Sequence, residues 1–184
     1  MAHLIDHLEQ DVDWDKVFGV VEDLYTDDGF TSRADNFITS TCVELALEKF
    51  SNLKRVDQIG YDFTYGDLKV ELKMRKGLFY KRRPNATQAV KMKNFQGNKK
   101  TLNEFKEQST FDYCIILDLT NYQVIVVEDE TIREKYYEDG DGVFVKLDLG
   151  DYYKCDVGEV KPVQSQYQLS KALDRIKQEW IGAR

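Results

Sequence analysis

A two-residue turn constrains this chain more than any other feature. Gly66-Asp67 stands between two alternating stretches, Tyr61-Asp62-Phe63-Thr64-Tyr65 and Leu68-Lys69-Val70-Glu71-Leu72-Lys73. A Gly-X pair in that setting predicts a type II′ hairpin loop. The loop sets the register, so that Tyr65 opposes Leu68, Phe63 opposes Val70 and Asp62 opposes Glu71. Strand side chains alternate between faces. One face then gathers Tyr61, Phe63, Tyr65, Leu68, Val70 and Leu72, and the other Gly60, Asp62, Thr64, Lys69, Glu71 and Lys73. Opposed Cβ atoms lie about 5 Å apart, and like charges so close repel unless something offsets them. A divalent cation between Asp62 and Glu71 would do so.

At 184 residues the chain is expected to form one domain over 1–184, with 1–33 as a helical N-terminal extension. It contains no run of about 18 apolar residues, so no membrane span is expected. The acidic stretch 1–14 lacks the basic and apolar regions of a secretory leader. Cys42, Cys114 and Cys155 are odd in number and show no CxxC spacing. They read as buried free thiols in a reducing compartment, the cytoplasm.

The net charge of −7 argues against a polyanion partner until its distribution is considered. Residues 74–103 contain no Asp or Glu but hold Arg75, Lys76, Lys81, Arg82, Arg83, Lys91, Lys93, Lys99 and Lys100. These nine positive charges leave the remainder of the chain at −16. Such asymmetry marks a local polyanion-binding surface, and the window is a candidate DNA-contact segment. Phe79, Tyr80, Phe95 and several Asn and Gln are interleaved with the bases. A solvated, lysine-rich loop is the competing reading.

Hydrophobic spacing predicts helices over 13–25, capped by Asp13, and over 34–50. A short helix is expected over 102–108, strands over 113–119 and 123–127, and a helix over 129–137. Residues 143–149 and 152–155 read as a hairpin turned by Gly150-Asp151. Ser165-Gln166-Tyr167-Gln168 is a capping box that opens a last helix. The sum is a mixed sheet with helices on both sides, an α/β sandwich.

Asp62 with Glu71-Leu72-Lys73 resembles the signature of the PD-(D/E)xK nuclease superfamily, especially its small restriction-endonuclease-like members. The resemblance covers chiefly residues 34–75 and continues loosely through 113–119. It implies a restriction-endonuclease-like core, a central mixed β-sheet flanked by helices. It also implies Mg²⁺, with Mn²⁺ as a substitute, held by Asp62, Glu71 and the Leu72 carbonyl. Lys73 would orient or activate the attacking water. In that family a helix bearing an acid precedes the hairpin, which makes Glu44 the candidate and Glu48 its alternative. The proline before the first acid is Tyr61 here, a departure that removes no ligand.

The chemistry favours these residue types on its own terms. Mg²⁺ takes oxygen ligands and often binds one or two carboxylates plus substrate phosphate. Phosphodiester cleavage needs a nucleophile made near neutral pH and stabilisation of charge on the phosphate. Glu-x-Lys alone says little, since Glu104-Phe105-Lys106 and Glu159-Val160-Lys161 repeat it. The turn register distinguishes the 71–73 copy. Its rival reading is a half-exposed strand pair in which Lys69 and Lys73 merely neutralise Glu71. Asp11, Asp13, Asp15 and Glu22 imitate an EF-hand, but Lys16 stands where the loop needs glycine. His3 and His7 read as exposed.

The expected function is therefore a Mg²⁺-dependent endonuclease acting on double-stranded DNA, similar to type II restriction enzymes. Cutting both strands with one site per chain implies a homodimer. A junction-resolvase-like or repair nuclease of the same superfamily is the alternative within that class. A DNA-binding module without turnover is the alternative outside it.

Overall fold

The structure is a computed structural model, and it describes residues 1–26, 33–58, 60–75, 88–91, 110–139, 142–148 and 150–163. Its elements are helices α1 (Ala2–Gln10), α2 (Trp14–Thr26), α3 (Arg33–Phe50) and α4 (Asp129–Glu134), with nine strands. The strands are β1 (Lys54–Gln58), β2 (Tyr61–Tyr65), β3 (Leu68–Arg75), β4 (Gln88–Lys91), β5 (Tyr113–Asp118), β6 (Gln123–Glu128), β7 (Tyr136–Asp139), β8 (Gly142–Leu147) and β9 (Tyr153–Lys154). The chain is mixed α/β, as its patterning predicts. The helices expected over 102–108 and from Ser165 lie outside the described residues.

The chain divides into two compact units, Met1–Ile5 with Val56–Asp156, and Asp6–Arg55 with Val157–Arg184. In the first, a six-stranded mixed sheet runs in the order β1-β2-β3-β5-β6-β9, and a three-stranded sheet runs β4-β8-β7. β2 and β3 are antiparallel, β3 and β5 parallel, and β5 and β6 antiparallel. Four consecutive residues of β6, Val124 to Val127, are buried, as are Cys114 to Asp118 of β5. Strands hidden on both faces lose alternation and read as apolar runs. One cluster gathers Cys114, Ile116, Ile125, Val127, Ile132, Tyr136, Val145 and Leu147, which joins both sheets and α4. Each fully buried aliphatic side chain there contributes about 1.5–3 kcal/mol.

Two expected elements form differently in this unit. The helix expected over 129–137 stops at Glu134, where the Lys135 N–H closes on the Thr131 carbonyl. Tyr136 then begins β7 and pairs with Val145. Nor does 152–155 fold back on β8. Both edges of β8 are occupied, by β4 and β7, so β9 pairs with β6 through Ile125↔Lys154 and Val126↔Tyr153.

In the second unit α2 and α3 bury Trp14, Val17, Phe18, Val21, Cys42, Val43, Ala46 and Leu47. Asp13 caps α2 as expected, its Oδ1 accepting the Lys16 N–H at 3.2 Å. The helix passes straight through the EF-hand lookalike. All three cysteines are free and buried. Burial, reinforced by Glu44, pushes the Cys42 thiol up to about 11. His7 corrects the sequence reading, being 2% exposed. Its Nε2 accepts the Asn52 N–H at 3.1 Å and its Nδ1 lies 2.9 Å from Asp11 Oδ2. A polar residue thus enters the core because both ring nitrogens find partners.

Candidate functional site

The β2–β3 hairpin forms as its turn demands. Gly66 has φ +57 while Asp67 keeps a negative φ, the combination of a type II′ loop. The ladder runs Tyr65↔Leu68, Thr64↔Lys69 and Phe63↔Val70. Phe63 and Val70 are fully buried on the apolar face. The backbone pairing stops there, one step before the Asp62–Glu71 pair that regular alternation predicts. Asp62 joins β3 through its side chain instead, with Oδ2 accepting the Leu72 N–H at 2.7 Å.

The departure coincides with a long-range contact beside the hairpin. Gly60, at φ +112, lies against Thr110, whose hydroxyl donates to the Gly60 carbonyl at 2.7 Å. A Cβ at residue 60 would run into the Thr110 side chain. The turn draws Tyr61 off the apolar face, so that its ring packs by the Cys114 cluster with Lys69 Nζ 5.5 Å from its centroid. Asp62 is left at the edge of β3. The N–H and C=O of one strand residue point to the same side. The Leu72 carbonyl therefore faces the edge where the Asp62 carboxylate sits.

Glu71 and Lys73 share a face of β3 and are ion-paired, Lys73 Nζ donating to Glu71 Oε1. Side-chain exposure is 6% for Glu71 and 15% for Lys73. Their parallel partners on β5 are Cys114 and Ile116, both in the apolar cluster, which explains the burial. Burial opposes the Lys73 ammonium, but Glu71, with Cys114 and Asp62 adding to it, holds the group above the ordinary lysine value. Lys73 is a cation here. Burial also pushes the Cys114 thiol up, against the pull of Lys73. Asp62, Glu71 and Lys73 thus lie within one electrostatic neighbourhood.

Among the described residues no three His, Cys, Asp or Glu side chains converge. A metal at this place would rest on the Asp62 and Glu71 carboxylates, the Leu72 carbonyl and water. That donor set suits Mg²⁺, which keeps several waters and needs only one or two carboxylates. It does not suit Zn²⁺, which prefers nitrogen and sulfur ligands.

Glu44 belongs to α3 in the second unit. It accepts hydrogen bonds from the Ser40 hydroxyl at 3.0 Å and Arg55 Nε at 2.9 Å. Of the basic window, Arg75 ends β3 and Lys91 ends β4. Lys76, Lys81, Arg82, Arg83, Lys93, Lys99 and Lys100 lie outside the described residues. Sequence spacing does not single out Cys114, Asp118 or Gln123, which β5 and β6 bring alongside β3. Their signal is the parallel pairing of β3 with β5, a long-range contact that local periodicity does not encode. Among the described residues no helix is long and apolar enough to cross a membrane. In comparisons with known proteins, no family model matches the chain, and no curated protein is significantly similar to it.

Proposed function

We propose that this chain is a Mg²⁺-dependent DNA endonuclease with a restriction-endonuclease-like core, acting as a homodimer on double-stranded DNA. The observation that carries the reading is the docking of Asp62 on the Leu72 N–H beside the Glu71–Lys73 pair. It brings the Asp62 carboxylate to the edge of the strand whose face carries Glu71 and Lys73. The order of elements agrees, since helix α3 precedes the hairpin and the apolar strand β5 follows it.

Asp62, Glu71 and the Leu72 carbonyl would hold the ion. Bound there, it would supply a Lewis acid for the phosphoryl oxygen and acidify a water. The work of the chain itself follows from its charges. The Leu72 N–H fixes the Asp62 carboxylate, so little ordering is left to be done on binding. Lys73 stays protonated and cannot serve as the base in this state. It orients the attacking water and places positive charge where the phosphate gains negative charge. Arg75 and the rest of the 74–103 window would grip the backbone phosphates. Affinity for DNA should then fall steeply with added salt.

The test is supercoiled plasmid with Mg²⁺, comparing wild type with Asp62→Asn and Lys73→Ala. The expected result is discrete cutting by wild type and a loss of at least roughly 100-fold in either variant. Undiminished cutting by both variants would overturn the assignment. Cutting confined to branched substrates would replace sequence-specific cleavage with a junction-selective activity.

A further inference from the structure

Arg75 stands apart from the other cations of β3. Lys69 lies near the Tyr61 ring and Lys73 is paired with Glu71. Among the described residues the Arg75 guanidinium makes one bond, from Nη1 to its neighbour's carbonyl, Met74 O, at 2.7 Å. Its Nε is hidden from solvent and has no acceptor among the described residues. Burial pulls the group below the ordinary arginine value, with only Cys114 opposing. A hidden guanidinium donor without an acceptor costs stability, and such groups in folded proteins call for an explanation.

The register says what surrounds it. Arg75 is the Cα partner of Asp118, and Asp118 that of Gln123, so the three form a row across β3, β5 and β6. Alternation puts this row on the face that carries Glu71 and Lys73. Asp118 is the natural counter-ion, yet its oxygens accept the Thr120 and Asn121 N–H groups and Asn121 Nδ2. Gln123 Oε1 is a second hidden polar atom without a partner among the described residues. The row also lies at the carboxyl ends of β3 and β5, the parallel pair of this sheet. Open α/β sheets bind ligands beyond that end of their strands.

We propose that the Arg75 guanidinium contacts the substrate phosphate in this site, donating to non-bridging oxygens of the nucleic-acid phosphodiester. Guanidinium and phosphate meet through paired, charge-assisted hydrogen bonds, a geometry that lysine cannot reproduce. The inference rests on the nuclease reading for the identity of the phosphodiester. The anion site itself can be measured without cleavage. Arg75 thereby moves from a general DNA-contact segment to the group being cut, while Lys73 acts on the water.

Two measurements on the full chain test this. The first is thermal unfolding in EDTA with and without inorganic phosphate, for wild type, Arg75→Met and Arg75→Lys. Phosphate should raise the melting temperature of wild type, raise that of Arg75→Lys less, and leave Arg75→Met unmoved. Arg75→Met should itself melt no lower than wild type, because the removed group holds an unmet donor. The second is plasmid cleavage, in which Arg75→Met should lower kcat roughly 100-fold with a smaller change in KM. The inference is overturned if phosphate shifts wild type and Arg75→Met equally, or shifts neither. A phosphate response that needs Arg75, in a protein that cuts no DNA, would keep the anion site and discard the nuclease reading. Cutting that Arg75→Met leaves intact would do the reverse.

Discussion

Two copies of Glu-x-Lys in this chain form the same ion pair and have little else in common. Glu71 and Lys73 sit on a strand with 6% and 15% of their side chains exposed. Glu159 and Lys161 lie outside any strand or helix, 3.3 Å apart, with 82% and 73% exposed. In the first copy the side chains are largely removed from water, so solvent screens their charges little. In the second copy the backbone carries the structural role. The Lys161 N–H donates to Asp15 Oδ1 at 2.7 Å and the Val163 N–H to the Asp15 carbonyl at 2.9 Å. Identical letters acquire chemistry only where the fold removes water from them.

The comparison breaks most visibly at Lys73. Truncating one partner of a buried pair costs about 3 kcal/mol. Lys73→Ala should therefore lower the urea-unfolding free energy by about that much. A loss below about 0.5 kcal/mol, the usual span for surface substitutions, would show that burial does not separate the two copies.

How much of this was readable in the sequence depends on the range of the interaction. The Gly66-Asp67 turn, the capped helix after Asp13 and the apolar strands near 115 and 125 all follow from local periodicity, and the structure bears them out. The Asp62–Glu71 opposition followed from the same rule and fails, because Gly60 and Thr110 meet across fifty residues and turn the chain at Tyr61. The two carboxylates still share one neighbourhood, but through a side-chain bond to Leu72. His7 misled for a similar reason, since its Nε2 partner is the backbone of Asn52. The edge on which β9 pairs depended on β4 and β7 having already flanked β8. Each of these three misses turns on a contact that local periodicity does not encode.

The second copy can be tested through its backbone. Gly19 of α2 faces the Val163 main chain so closely that a Cβ there would overlap the carbonyl oxygen. Alanine gains about 1 kcal/mol of helix propensity over glycine, while overpacking typically costs about 1–3 kcal/mol. Gly19→Ala should come out destabilised by about 1 kcal/mol in urea unfolding. A gain of about 1 kcal/mol, the bare propensity, would mean that the 159–163 segment is not seated on α2. It would also leave the second copy without the backbone role that distinguishes it.

The smallest effect belongs to the exposed pair itself. A solvent-exposed ion pair is worth about 0–1 kcal/mol, because water already solvates both charges and two long side chains lose freedom in meeting. Lys161→Ala should change stability by no more than about 0.5 kcal/mol, since the backbone bonds to Asp15 do not involve its ammonium. Salt adds a second axis. At about 1 M ionic strength the screening length falls to about 3 Å, so any residual loss in Lys161→Ala should vanish. The loss in Lys73→Ala should largely persist, because buried pairs are screened much less by salt than exposed ones. Unfolding both variants at low and high salt thus yields four numbers, and equal salt dependence in the two would erase the distinction between the copies.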